Sequence, residues 1–227
     1  MQASTTNQTI STIHKIFLLC GLFSSLLYVG TDILASNLWV GYDYVSQAFS
    51  ELNAIGAPTR TVVLSLLTVY NVLDIAFGAG ILFSAGKKRS LCLTGIFIIL
   101  NGAVGLLLPF FPMHIRGEVS ANDFGHIILT IITVLIIFLT LGFGSAGNGK
   151  PFCFYSIATI LICLIFGIWA GMDSSNLAAN LPTPWLGIKE RINIYSYLLW
   201  MIVLAVYLLR SRKSQTKSGV PEQAILR

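Results

Sequence analysis

Charge is what this sequence lacks most. Only 10% of its 227 residues are Asp, Glu, Lys or Arg, where a soluble domain carries about 25%. So few charges cannot clothe a water-facing surface, which excludes a soluble globular protein and assigns most of the exterior to lipid. Cysteine is sparse as well. Cys20, Cys92, Cys153 and Cys163 all lie within or at the ends of apolar runs. They offer no disulfide framework and no metal-finger spacing, and read as small buried apolar side chains. A Gly-rich phosphate loop, a Walker motif and a Gly-x-Ser-x-Gly elbow are also missing. The net charge of +5 does not point to nucleic acid, because the basic residues gather in loops and in the C-terminal tail, as in a membrane protein.

What is abundant is apolar sequence, 55% of the chain. A spanning helix needs roughly 20 mainly apolar residues, and six such runs are present, at about 16–36, 61–84, 91–111, 124–144, 152–172 and 192–209. The first run is too long for the apolar core of a signal peptide and is interrupted by Asp32, so it reads as an uncleaved helix despite Leu34-Ala35-Ser36. The expectation is an all-α integral membrane protein: a flexible tail over 1–12, a six-helix domain over 13–210 and a basic tail over 211–227. With six spans both termini share one side. Lys15, Lys87, Lys88, Arg89, Lys150, Arg210, Arg212, Lys213, Lys217 and Arg227 fall there; Arg60, Arg116, Lys189 and Arg191 fall on the other. That asymmetry places both termini in the cytoplasm and the chain in the cytoplasmic membrane. Ser84-Ala85-Gly86 with Cys92 recurs 61 residues later as Ser145-Ala146-Gly147 with Cys153. Either a duplicated hairpin or convergence of two short turns accounts for the echo.

The first outer loop carries most information. At helical spacing, Tyr42, Val45, Phe49 and Leu52 share one face, while Asp43, Ser46, Gln47 and Ser50 share the other with Glu51 at its margin. Gly56 and Pro58 then stop the helix. The pattern predicts a short amphipathic helix over 42–55, lying on the outer surface or roofing a polar cavity. Ser46-Gln-x-x-Ser50-Glu51-Leu52-x-Ala54-x-Gly56-Ala57-Pro58 resembles the first outer loop of the "domain of unknown function 998" family of bacterial and archaeal multi-pass membrane proteins. Phe111-Pro112 with Asp123-x-x-His126, and Gly187-x-x-Glu190-Arg191-Ile192, are similar to its later motifs. The resemblance spans nearly the whole chain and implies a six-helix bundle, but no activity.

The polar residues supply the candidate sites. Asp74 lies midway along the second run, where a charge costs from about 2.5 kcal/mol to far more. Asn101 stands at matching depth on the next helix and Asn71 shares the Asp74 face. Asp74 is either interhelical glue, protonated and bonded to Asn101, or a proton or cation site. The outer mouth collects Asp32, Asp43, Glu51, His114, Glu118, Asp123, His126, Asp173, Glu190 and Arg191. Asp123 reads as a helix cap or, with Glu51 and His126, as catalytic acid–base machinery. His114 and His126 with an acidic neighbour are enough in number for a divalent metal such as zinc, though no metalloprotease-like spacing supports one. Ser46, Ser50 and Arg191 are candidate ligand contacts. Arg191 is either an ion-pair partner of Asp32, Glu51 or Glu190, or a hook for a lipid phosphate. Gly167-x-x-x-Gly171 is a close-packing motif, within the chain or with a second copy.

Three functions follow: an enzyme or binder of a lipid or lipid-linked head group, a transporter or sensor of a proton or small solute using Asp74, and a structural assembly partner. Membrane lipids are the expected partners, nucleic acid is not, and a homo-oligomer stays open.

Overall fold

The computed structural model describes residues 2–116 and 121–217; Glu118 and tail residues 218–227 lie outside them. Its helices are α1 (Gln2–Leu38), α2 (Arg60–Ala85), α3 (Arg89–Leu107), α4 (Ala121–Gly147), α5 (Lys150–Gly171), α6 (Ser174–Ala178) and α7 (Leu186–Lys217). All but the short α6 contribute a stretch long and apolar enough to cross a membrane. No strand occurs among the described residues, only an isolated bridge between Ile55 and His114.

Each long helix packs on the next, and α7 closes the ring against α5 and α1. His14 near the start of α1 bonds Gly80 O and Ser84 near the end of α2, and Tyr207 late in α7 stacks near Phe152 at the start of α5. One end of the bundle, the termini end, therefore holds both described chain ends and the turns at 86–88 and 148–149. The other, the loop end, holds the segments 39–59, 108–116 and 172–185.

Helix contact relies on missing side chains. A Cβ on Gly78 would lie 2.7 Å from Gly95 O, and one on Gly102 would lie 2.7 Å from Asn71 O, so α2 and α3 meet backbone to backbone. The core on the termini side of mid-span is apolar: Leu18, Phe77, Ile81, Ile98, Leu141, Trp200, Met201 and Leu204 are fully buried. Large apolar side chains such as Phe23, Phe83, Phe154 and Ile165 point outward, as a lipid-facing exterior requires.

Three expectations need correction. The helix over 42–55 is only a 3-10 turn at Phe49–Asn53. Its preceding carbonyls are taken sideways: Tyr44 O and Gln47 O by Arg191, Val45 O by Ile188 N, Ser46 O by Arg116 and Thr183. They are not free to accept the i→i+4 bonds of an α-helix. The last long helix begins at Leu186 rather than near 192, so Gly187, Glu190 and Arg191 sit on its first turns. The 61-residue echo is not repeated in the backbone. Gly86 turns the chain at φ 52°, but its counterpart Gly147 ends α4 and Gly149 (φ 86°) makes the turn instead.

Gly167 faces α7, where its Cβ would meet Asn193 Nδ2 at 2.7 Å, and Gly171 has open space. The small-residue pair thus serves the α5–α7 contact through Gly167 alone.

Candidate functional site

Two buried ion pairs fix the loop end. Asp32, six residues before the end of α1 and fully buried, meets Arg191 in a two-pronged pair, Nε to Oδ2 and Nη2 to Oδ1, both 2.8 Å. Tyr195 donates to Asp32 Oδ2 at 2.5 Å and Ser36 to Oδ1 at 3.2 Å. Arg191 spends its other donors on Tyr44 O, Gln47 O and the Tyr42 hydroxyl, with its plane 3.6 Å above the Tyr44 ring. A guanidinium has five N–H donors, and all five are engaged. None remains for a phosphate, so Arg191 is an ion-pair anchor rather than a lipid hook.

Glu51, also fully buried, accepts Arg116 Nε at 2.6 Å and Nη2 at 2.8 Å, and closes a capping box with Ala48 N at 2.8 Å. Arg116 was not foreseen as its partner, because 65 residues separate them. Burial of the loop pushes the Tyr42 hydroxyl well above its ordinary pKa, against the pull of Arg191. Asp43 at the surface is held below the usual carboxylate range, first by the Ser46 hydroxyl and then by the Val45 N–H it caps.

The three sequence motifs turn out to be one interlock. Gly187 leaves no room for a Cβ, which would strike Tyr44 O and Gln47 O. Glu190 Oε2 accepts Phe49 N at 2.5 Å. Phe111 O accepts from His126 Nδ1 at 3.1 Å, and Asp123 Oδ1 accepts His114 N at 2.8 Å and faces His114 Nδ1 at 3.1 Å. Ile55 N reaches Met113 O at 2.8 Å, joining the first loop to the second. The substitution Gly187→Ala is accordingly expected to destabilise the folded protein by about 1–3 kcal/mol through overpacking. Thermal unfolding in detergent measures this, and an unchanged Tm would contradict it.

The candidate catalytic set does not assemble. Glu51 is spent on Arg116, Asp123 on His114, and His126 on a backbone carbonyl. Among the described residues no three His, Cys, Asp or Glu side chains are placed to hold a metal ion, so His114 and His126 do not form the zinc-type cluster that was considered. Ser46 lines an open hollow of about 440 Å³ with Asp43, Gln47, Arg116 and Thr183. A second hollow of about 400 Å³ runs along α7 past Tyr44, Arg191 and Tyr195. Ser50 is half-buried on the 3-10 turn. Neither hollow is lined by Asp74.

Asp74 is the exception to this pairing. It is fully buried at the middle of α2. Ser24 of α1, Tyr70 of α2 and Asn101 of α3 stand near enough to donate towards its carboxyl, yet among the described residues none reaches it at full hydrogen-bond geometry. Both Asp74 oxygens, Asn101 Oδ1 and the Tyr197 hydroxyl are buried without partners. Asp74 and Asn101 thus face each other, as one of the two alternatives had it, but without a hydrogen bond of full geometry. What is present is a cluster of loosely joined polar groups from α1, α2 and α3, with Tyr197 of α7 acting across the bundle, in a protein that elsewhere pairs its buried charges. The spacing that marks it was readable: Ser24, Tyr28 and Asp32 recur every four residues on α1, as do Tyr70 and Asp74 on α2.

Six helices of membrane-spanning length and composition define a multi-pass membrane protein. The family model described as "Protein of unknown function (DUF998)" matches residues 22–207, and the chain belongs to that family. Neither a curated protein nor a solved structure matches it.

Proposed function

We propose that the protein binds and releases a proton at Asp74 inside the membrane, and works as a proton-coupled transporter or sensor. One observation carries the reading: a fully buried carboxyl whose two oxygens have no hydrogen-bond partner. Buried polar groups are almost always paired, and ionisable residues within membrane spans concentrate at ion and proton pathways. A bound proton turns one Asp74 oxygen from acceptor into donor, and Asn101, which stands against the carboxyl, has an Oδ1 without a partner among the described residues. No charged side chain among the described residues acts on Asp74, so the proton is the charge partner the chemistry calls for. The sorting of basic residues supports a loop end facing away from the cytoplasm, in the cytoplasmic membrane.

The test is proton movement in liposomes loaded with a pH-sensitive dye. The full-length wild-type chain is expected to carry protons after an imposed pH step or to take up about one per chain, as a single carboxyl allows, and Asp74→Asn to abolish the signal while the fold survives. A wild-type chain indistinguishable from empty liposomes on both readouts, or an Asp74→Asn variant with the wild-type signal, would overturn the reading.

A further inference from the structure

The polar groups around Asp74 are not symmetric about the membrane, and this bears on which side the site serves. Towards the loop end a file of oxygen-bearing side chains leads away from it. Tyr70 is one helical turn along α2 and stands against the carboxyl. Its ring meets the Tyr28 ring edge-on, with centroids 5.1 Å apart. Tyr28 is one turn from Asp32 on α1 and packs on Phe49, centroids 4.7 Å apart, whose N–H is held by Glu190. Asp32 continues through Tyr195 and Tyr44 into the roof.

Towards the termini end no such file exists among the described residues. The next inward-facing residue after Asp74 on α2 is Phe77, fully buried. Its ring is pressed on the α1 backbone so closely that a Cβ on Gly21 would lie 2.6 Å from it. Leu18, Ile81, Ile98, Leu141, Trp200 and Met201 complete a closed apolar layer. Ser156 and Thr94 within or beside that layer bond on their own helices, and Trp200 donates to Ser156; the Tyr197 and Tyr155 hydroxyls are buried there without a partner among the described residues.

Resting on the proton-binding reading above, we infer that Asp74 exchanges its proton with the loop end alone, relayed by the Tyr70 and Tyr28 hydroxyls, while the layer around Phe77 bars the termini end. Each tyrosine gives one proton and receives another, so neither changes its net charge. The groups facing Asp74 are Ser24 from α1, Tyr70 from α2, Asn101 from α3 and, acting across the bundle, Tyr197 from α7; none of these carries a formal charge.

The experiment uses the full chain in vesicles, sorted to one orientation by capture through a tag on one terminus. The protonated-carboxyl stretch of Asp74 is followed by infrared spectroscopy, assigned by its loss in Asp74→Asn. The band is expected to follow a pH step at the loop end and to ignore a step at the termini end. Tyr70→Phe is expected to slow the response about a hundredfold, the scale on which a positioned proton carrier acts, with Tm and the final band amplitude unchanged. Tyr28→Phe provides a second variant should Tyr70→Phe fail to fold. A band that follows the termini-end step, or folded variants that respond at wild-type speed, overturns the one-sided relay and leaves the proton site standing. A band that titrates from neither face overturns both.

Discussion

Replacing Arg191 by Leu is expected to lower the stability of the folded protein by about 3–5 kcal/mol, the range for removing one partner of a buried ion pair. Asp32 would then be a fully buried carboxylate retaining only hydroxyl donors from Tyr195, Tyr44 and Ser36. Tyr44 O and Gln47 O would also lose their shared donor, unpinning the first loop from α7. The double substitution Asp32→Leu/Arg191→Leu removes the stranded charge and is expected to recover part of the loss. It cannot recover all, because Tyr44 O remains without its donor, at about 1–3 kcal/mol, while Gln47 O keeps only the Tyr42 hydroxyl. Unfolding in a fixed detergent, read for both single variants and the double, gives the coupling. An Arg191→Leu protein within about 0.5 kcal/mol of wild type, the range of ordinary surface substitutions, would show that the pair does not anchor the roof.

The opposite sign is expected at Asp74. Asp74→Leu removes two buried acceptors that have no partner and fills the same space with apolar atoms. It is expected to raise stability by about 1–3 kcal/mol, the penalty carried by an unsatisfied buried polar group, and to abolish proton binding. A carboxyl retained at a stability penalty is the trade expected where activity needs a strained or destabilised site. A large loss of stability on Asp74→Leu would instead make Asp74 a structural tie between α1, α2 and α3. The contrast between the two substitutions is the sharpest separation of roof from site: both involve buried charged residues, and only one of them is paired.

The six spans were legible because hydropathy is a local property read over one helix. Their ends were less so: α7 begins one and a half turns before its apolar run, since Gly187, Glu190 and Arg191 face the first loop rather than lipid. The amphipathic pattern over 42–55 was real as a sorting of faces, yet tertiary partners claimed its carbonyls and left only the turn at Phe49–Asn53 helical. The partner of Arg191 was within the set foreseen; the Glu51–Arg116 pair was not, because pairing across loops depends on how loops cross. Among the described residues, the acids and histidines at the loop end that looked like chemistry are held by ion pairs or by backbone groups. Asp74 could be read either as half of a hydrogen-bonded pair or as a proton or cation site, and both its oxygens lack a partner among the described residues. Sequence spacing had placed Asn101 at the right depth, but depth does not fix the angle at which two helices present their side chains.

The central claim is that Asp74 is the titrating group in the membrane interior. Infrared titration of the full chain in lipid tests it most directly. The account predicts a protonated-carboxyl stretch that disappears reversibly as pH is raised, is absent in Asp74→Asn, and persists in Arg116→Lys, which keeps the cation at Glu51. A spectrum in which no such band depends on Asp74 at any pH at which the protein stays folded would contradict it.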